Sequence, residues 1–288
     1  MNPNASPQQR AAFQQLKPGP LVLFCQYSFA DAAQADACTR ALAQAAKRYG
    51  GTLRWSGAEQ DLLCGRVALY QRAASLHFTM RDGARGFVEG SEFNNALTRA
   101  TALQVTVISE QPKIVAVLSF LLSRIAPAWP FDNTVAEGEE PGIGTSVMPG
   151  AETIAAIRSN PDQDTPVTMI NWLKFRERAD YPHGEPPTSG REAYLAYGKI
   201  AMTSTHSLGA KLLHAARYRM ILVGNDGDPG LGLWDEFALM QYPGRKTFGQ
   251  MAQLKRYRAG LRHRAAGLAE YGQGLTLTKP APEFTWKR

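Results

Sequence analysis

The sequence predicts an α+β chain made of two copies of one βαββαβ unit. Three observations lead there: a strand motif that recurs, hydrophobic periodicity that yields the same element order twice, and a polar break between the two runs. Leu21-Val22-Leu23-Phe24-Cys25-Gln26-Tyr27 answers to Pro166-Val167-Thr168-Met169-Ile170-Asn171-Trp172, which sets Asn171 against Gln26 at an offset of 145 residues. Gly51 to Trp55 then answers to Gly209 to Leu213, and Phe93 to Leu97 to Tyr257 to Leu261. The order is kept while the offset drifts to 158 and then 164, as loop insertions would produce. Repeats of this length indicate duplicated domains rather than a solenoid, whose period is about 20 to 50 residues.

Element by element, Leu21 to Ser28 reads as a buried strand between Pro20 and the helix-capping Asp31. Ala32 to Tyr49 reads as a helix ended by Gly50-Gly51, followed by strands Thr52 to Ser56 and Ala74 to Met80, a helix Gly86 to Arg99 and a strand Leu103 to Ser109. Asp132 to Gly150, rich in glycine, proline and acids, reads as a linker, and Ala151 to Arg158 as a short helix. The second run gives strand Val167 to Lys174, helix Arg191 to Ser207, strands Lys211 to Val223 and Leu233 to Gln241, helices within Lys246 to Gly267, and strand Leu275 to Lys279. The expected domains are 18–111 and 161–282, with 112–160 as helix and linker. A split βαβ pair of this kind is the ferredoxin-like plan, with helices on one face of an antiparallel sheet. Two such sheets packed face to face make a barrel-like interior.

A chain of 288 residues with 44% hydrophobic content can bury one large core or two of ordinary size. Cys25, Cys38 and Cys64 have neither an even count nor ligand spacing, so they read as buried thiols. The polar Met1 to Gln15 lacks an apolar signal core, and the expected location is cytoplasmic. Ile114 to Leu122 is apolar but too short to span a bilayer, and reads as an amphipathic helix on a domain or at a subunit interface, as in a homodimer. The net charge of +7 falls unevenly, +1 over residues 1–150 and +6 over 151–288. Seven cations from Arg245 to Arg264 occur with no acid between them and read as a solvated helix face. Without exposed aromatics or a recognisable module beside them, no nucleic-acid partner is expected.

With the element order in hand, the chain resembles the dimeric α+β-barrel superfamily. Asn171-Trp172-Leu173-Lys174-Phe175, Tyr194 and Tyr197, Gly209, Trp234-Asp235, Tyr242-Pro243, Tyr257 and His263-Arg264 make residues 160–280 similar to the branch known as domain of unknown function 1330. The first half resembles the plan more distantly: it keeps Gln26-Tyr27, Tyr49-Gly50-Gly51 and Phe93, lacks the Trp-Asp pair, and has Arg99-Ala100 in place of His263-Arg264. The resemblance implies a fold shared by cofactor-independent monooxygenases, lactone isomerases, haem-containing dehydratases and dismutases, and plain ligand-binding proteins, so function has to be read from the site.

The candidate site lies in the second half. Asn171, a polar residue in an apolar strand, and Trp172 must face opposite ways, and only one of them faces a given pocket. Tyr194 and Tyr197 share a helix face, while His206 lies on another side and reads as a surface or capping histidine. His263 can exchange a proton near neutral pH, and Arg264 can hold a carboxylate or pair structurally with Asp235 or Glu236. The expected roles are catalysis by His263 and Arg264, with ligand binding by Asn171, Tyr197 and Trp234. The expected ligand is a small anionic or carbonyl-bearing molecule, bound and transformed by acid/base chemistry without a cofactor. Two alternatives stand beside this: a haem enzyme, with His183, His206, His214 and His263 as available ligands and no spacing that singles one out, and a non-catalytic binding or assembly protein. No metal site is expected, since no paired-histidine spacing occurs.

Overall fold

A computed structural model describes residues 5–110, 117, 119, 121, 122, 124–126, 134–137, 145–182, 188–224 and 232–285. His183 and much of the expected linker lie outside them. After a short helix α1 (Pro7–Gln14), strand β1 (Leu21–Ser28) is buried on both faces. Its odd residues, Leu21 to Tyr27, pack under helices, and Val22 and Phe24 point the other way. Asp31 caps α2 (Ala32–Arg48) by accepting from the Gln34 N–H at 2.8 Å, and the stripe Ala35, Cys38, Leu42, Ala45 lies on the sheet. Strands β2 (Gly51–Cys64) and β3 (Arg72–Phe78), helices α3 (Arg81–Glu89) and α4 (Ser91–Leu97), and β4 (Ala102–Glu110) complete the first half.

The second half repeats that order. After α5 (Ala151–Ser159) come β5 (Val167–Phe175), α6 (Gly190–Ser207), β6 (Lys211–Val223), β7 (Glu236–Tyr242), α7 (Arg245–Gln253), α8 (Lys255–Gly267) and β8 (Leu268–Pro280). Ser189 and Glu192 form a reciprocal capping box at the start of α6. Among the described residues no helix is long and apolar enough to cross a membrane.

The eight strands form one closed barrel in the order β1-β3-β2-β8-β5-β7-β6-β4, with every neighbouring pair antiparallel. Each half therefore contributes a sheet in the order fourth, first, third, second strand. The two sheets face each other and are also hydrogen-bonded at both edges, β2 to β8 and β4 to β6. This explains why β2 reaches Cys64 instead of the expected Ser56, and why β8 starts at Leu268 instead of Leu275: the extra length of β2 meets β8, and that of β8 meets β5.

The barrel interior is filled by aromatic rings from both halves. Phe24 meets Phe237 at 4.8 Å and Trp172 at 5.7 Å, and Trp172 meets Phe237 at 4.6 Å. Outside it, each sheet carries its own helical layer and its own apolar cluster.

Two residue matches between the halves are one position out. Gln26 shares the inward face with Phe24, whereas Asn171 shares the outward face with Met169, so the two amides are not equivalent. Matching inward residues, such as Phe24 and Ile170, requires an offset of 146, because an odd slip in a strand exchanges its faces. Likewise the helix-ending glycines with left-handed backbone are Gly50 (φ 75°) and Gly209 (φ 85°), so Gly50 and not Gly51 is the counterpart of Gly209.

Candidate binding cavity

Between the second half's sheet and its helices lies a cavity of about 650 Å³. Strand alternation builds its floor: Met169, Asn171 and Leu173 of β5 face it, while Thr168, Ile170 and Trp172 face the barrel. Glu236, Met240 and Tyr242 of β7 and Gln273 and Leu275 of β8 extend the floor on either side. Helical periodicity builds the roof, with Tyr194, Tyr197, Ala201, Met202 and Thr205 from α6 and Tyr257 and Arg264 from α8.

On α8, Tyr257, Leu261 and Arg264 fall at i, i+4 and i+7, so the arginine occupies a position of the buried stripe. It is 4% exposed. Its Nη2 donates to the Val147 carbonyl at 2.6 Å, and its guanidinium carbon lies 5.7 Å from the centre of the Tyr197 ring. The Nε has no hydrogen-bond partner, and among the described residues no carboxylate pairs with this cation. The structural partners expected for it are engaged elsewhere. Asp235 binds Lys174 at 3.1 Å and the Phe175 N–H at 2.7 Å, and Glu236 receives both Nε and Nη2 of Arg191 on its Oε1.

Phenols surround the same end. The Tyr197 and Tyr257 hydroxyls are 3.0 Å apart, and Tyr194 packs 5.3 Å from Tyr197. Burial, reinforced by the neighbouring phenols, raises the pKa of Tyr194, Tyr242 and Tyr257 above the ordinary value, so all three are protonated at neutral pH. At the floor, Asn171 Nδ2 donates to the main-chain carbonyls of Met169 and Ala238, at 3.3 and 3.4 Å, and its Oδ1 accepts from Gln273 Nε2 at 3.5 Å.

The cavity thus brings together Asn171, Tyr197 and Arg264, and takes in neither His263 nor Trp234. Adjacent helical positions diverge by about 100°. While Arg264 turns inward, His263 turns to the Tyr181 hydroxyl, 2.7 Å from its Nδ1. Trp234 lies in an open groove at the barrel end with Lys174, Arg176, Arg191 and Arg217, its ring 6.5 Å from Trp172. His206 is no surface residue: it is fully buried, its Nδ1 2.8 Å from the Met202 carbonyl and its Nε2 3.2 Å from Ser119 Oγ. Nor do the cations of α7 and α8 all form a solvated face, since Arg245 is buried against Asp61 and Gln60 of β2 and Arg264 lines the cavity.

In the sequence Glu236 is visible only as a possible ion-pair partner of Arg264, and Gln273 carries no signal within the expected strand limits. Gln273 could have been found as the residue two before Leu275 on the same strand face, had the strand been started early enough.

No lining residue among those described is a histidine or a cysteine; His206 and His263 have ring nitrogens engaged elsewhere, and His214 packs against His77 and Phe237. The described residues lining this cavity do not fit a histidine- or thiolate-ligated haem.

No family model matches the chain, and no curated protein does. Among solved structures, it is 30% identical to RPA0582 of Rhodopseudomonas palustris, a protein of unknown function, over 47% of this chain and 96% of that one, with a TM-score of 0.41. It is 11% identical to a candidate monooxygenase of Lactobacillus acidophilus over 91% and 94% of the two chains, with a TM-score of 0.43. For chlorite dismutase of Candidatus Nitrospira defluvii the identity is 12% over 96% and 97%, with a TM-score of 0.43. With two split βαβ sheets closed into one barrel, and 30% identity across nearly all of RPA0582, the chain belongs to the dimeric α+β-barrel superfamily.

Proposed function

We propose that this protein binds a small organic anion in the cavity of its second half, with the anionic oxygen on Arg264 and an apolar body against the methionines. The single observation that carries this reading is the Arg264 guanidinium, sealed into an apolar wall with no carboxylate partner among the described residues. Such a charge is costly to bury and favours an anion beside it. The two hydroxyls of the Tyr197–Tyr257 pair share one hydrogen bond, which leaves a second O–H proton to donate. Met169, Met202, Met240 and Met251 suit an apolar body of adaptable shape.

Binding is better supported than acid/base turnover. Burial holds Tyr194, Tyr242 and Tyr257 protonated, and His263 serves Tyr181 outside the cavity. Chemistry in this cavity would rest on Arg264 stabilising negative charge on a ligand oxygen, without proton transfer by His263. Asn171 and Tyr197 keep their binding roles in this proposal, and Trp234 has none in the cavity.

We further propose that 18–111 and 161–282 descend from one duplicated unit, with 112–160 joining them. The expected homodimer would use outer surfaces, since both sheet edges are already paired within one chain, and sedimentation at micromolar concentration tests it.

Calorimetric titration with 5-phenylpentanoate and its neutral amide tests the anion reading. The acid should bind at least about tenfold more tightly than the amide, and Arg264→Met should abolish that preference. Equal binding of acid and amide by the wild type would contradict it, as would an unchanged preference in Arg264→Met.

A further inference from the structure

The floor of the cavity also presents acceptors. Leu173 pairs across the sheet with Glu236 on one side and with Gln273 on the other, which places a carboxylate and an amide on the two strands flanking β5, on the cavity face. Glu236, which also borders the Trp234 groove, is 9% exposed, and both of its bonds from Arg191 fall on Oε1; among the described residues Oε2 receives none. Because Arg191 already balances its charge, this oxygen calls for a neutral donor rather than a second cation.

Gln273 is oriented by a relay. The carbonyls of Met169 and Ala238 hold Asn171 Nδ2, so Asn171 Oδ1 faces Gln273, and Gln273 in turn must present Nε2. Its Oε1 is left buried and without a hydrogen-bond partner. A buried acceptor without a donor costs about 1 to 3 kcal/mol.

From these two oxygens we infer that the natural ligand is a hydroxylated carboxylic acid, its carboxylate at Arg264 and its hydroxyl donating to the acceptor floor at Glu236 or Gln273. This rests on the anion reading above and adds a specificity element to it. Glu236 and Gln273 select for the hydroxyl, while Arg264 selects for the charge. Val147, whose carbonyl accepts from Arg264, packs with Tyr194 and with Leu173, the cross-strand neighbour of both Glu236 and Gln273, so the charge and hydroxyl subsites lie at one end of the cavity.

The test uses 3-phenylpropanoate and 5-phenylpentanoate, each as the parent, the para-hydroxy and the para-methoxy acid, titrated into the intact protein. For at least one chain length the hydroxy acid should bind about tenfold more tightly than both partners, since the methoxy compound keeps the size and loses the donor. Glu236→Gln, which replaces one oxygen by an amide NH₂, or Gln273→Met should shrink that preference to less than threefold. The parent acid should still bind both variants in an Arg264-dependent way, which also shows that they are folded. No preference for hydroxyl in the wild type at either length overturns the inference and leaves the anion reading intact. So does a preference that survives in both variants. Absence of Arg264-dependent binding by every acid overturns the anion reading itself.

Discussion

Arg264 and His263 are neighbours in sequence with opposite fates, and the helical turn separates them. As a buried cation without a counter-charge, Arg264 adds little to stability, because replacing such a group with an apolar residue of similar volume is often neutral or favourable. Arg264→Met should therefore leave the urea midpoint unchanged or raise it; a loss of several kcal/mol would mark the arginine as structural. Two other residues contribute opposing parts of the pH response, and His206, also lowered by burial, acts in the same sense as His77. Burial pushes Glu59 up to about 7 against the hydrogen bonds from Gln26 and the Tyr70 N–H, so its protonated form belongs to the native state. Its contribution is full below the ordinary carboxylate pKa and is lost as the pH rises towards 7. His77, beside His214 at 4.9 Å, is lowered to about 3 by burial and then by Arg54, so its contribution is full above 6.5 and is lost as the pH falls towards 3. Between pH 4.5 and 6.5 the two slopes oppose each other. Relative to the wild type, urea unfolding across that range should show stability rising more steeply with pH in Glu59→Gln and less steeply in His77→Gln, by roughly 2 to 3 kcal/mol each. Identical profiles in the wild type and both variants would exclude these assignments.

At the scale of elements, the capping and turn residues carry the local code. Gly50 and Gly209 end α2 and α6 with left-handed backbone, and the space around them is open except for Pro243, 3.3 Å from a Cβ at position 209. Alanine at either position should cost about 1 kcal/mol, mostly conformational, and thermal melts of the two variants should match closely. A negligible loss at Gly50 would remove it as the counterpart of Gly209. The element order and most helix limits were legible in sequence because they depend on near neighbours: Asp31 with Gln34, Ser189 with Glu192, the apolar stripe of α2. The lengths of β2 and β8 were not, because their far ends pair with distant strands. Of the candidate site, Asn171, Tyr197 and Arg264 were legible as polar groups on apolar faces. The exclusion of His263 required knowing which turn of α8 faces the sheet, and Gln273 lay beyond the strand limit that periodicity set.

The whole molecule is one closed barrel whose two halves supply each other's edge partners, so neither sheet has a free edge. A chain of residues 161–282 alone would expose the edges of β6 and β8 and the inward faces of Trp172 and Phe237. Under the proposed duplication it should associate as a homodimer, β6 of one copy along β8 of the other. A stable monomer in sedimentation would count against the equivalence of the halves. Since aromatic rings fill the barrel, the proposed ligand space lies outside it, under α6 and α8. A crystal structure of the protein soaked with 5-phenylpentanoate tests this placement most directly. The carboxylate should lie on the Arg264 guanidinium and the phenyl group among the methionines; a ligand bound in the groove beside Trp234, with the cavity empty, would contradict the proposed placement.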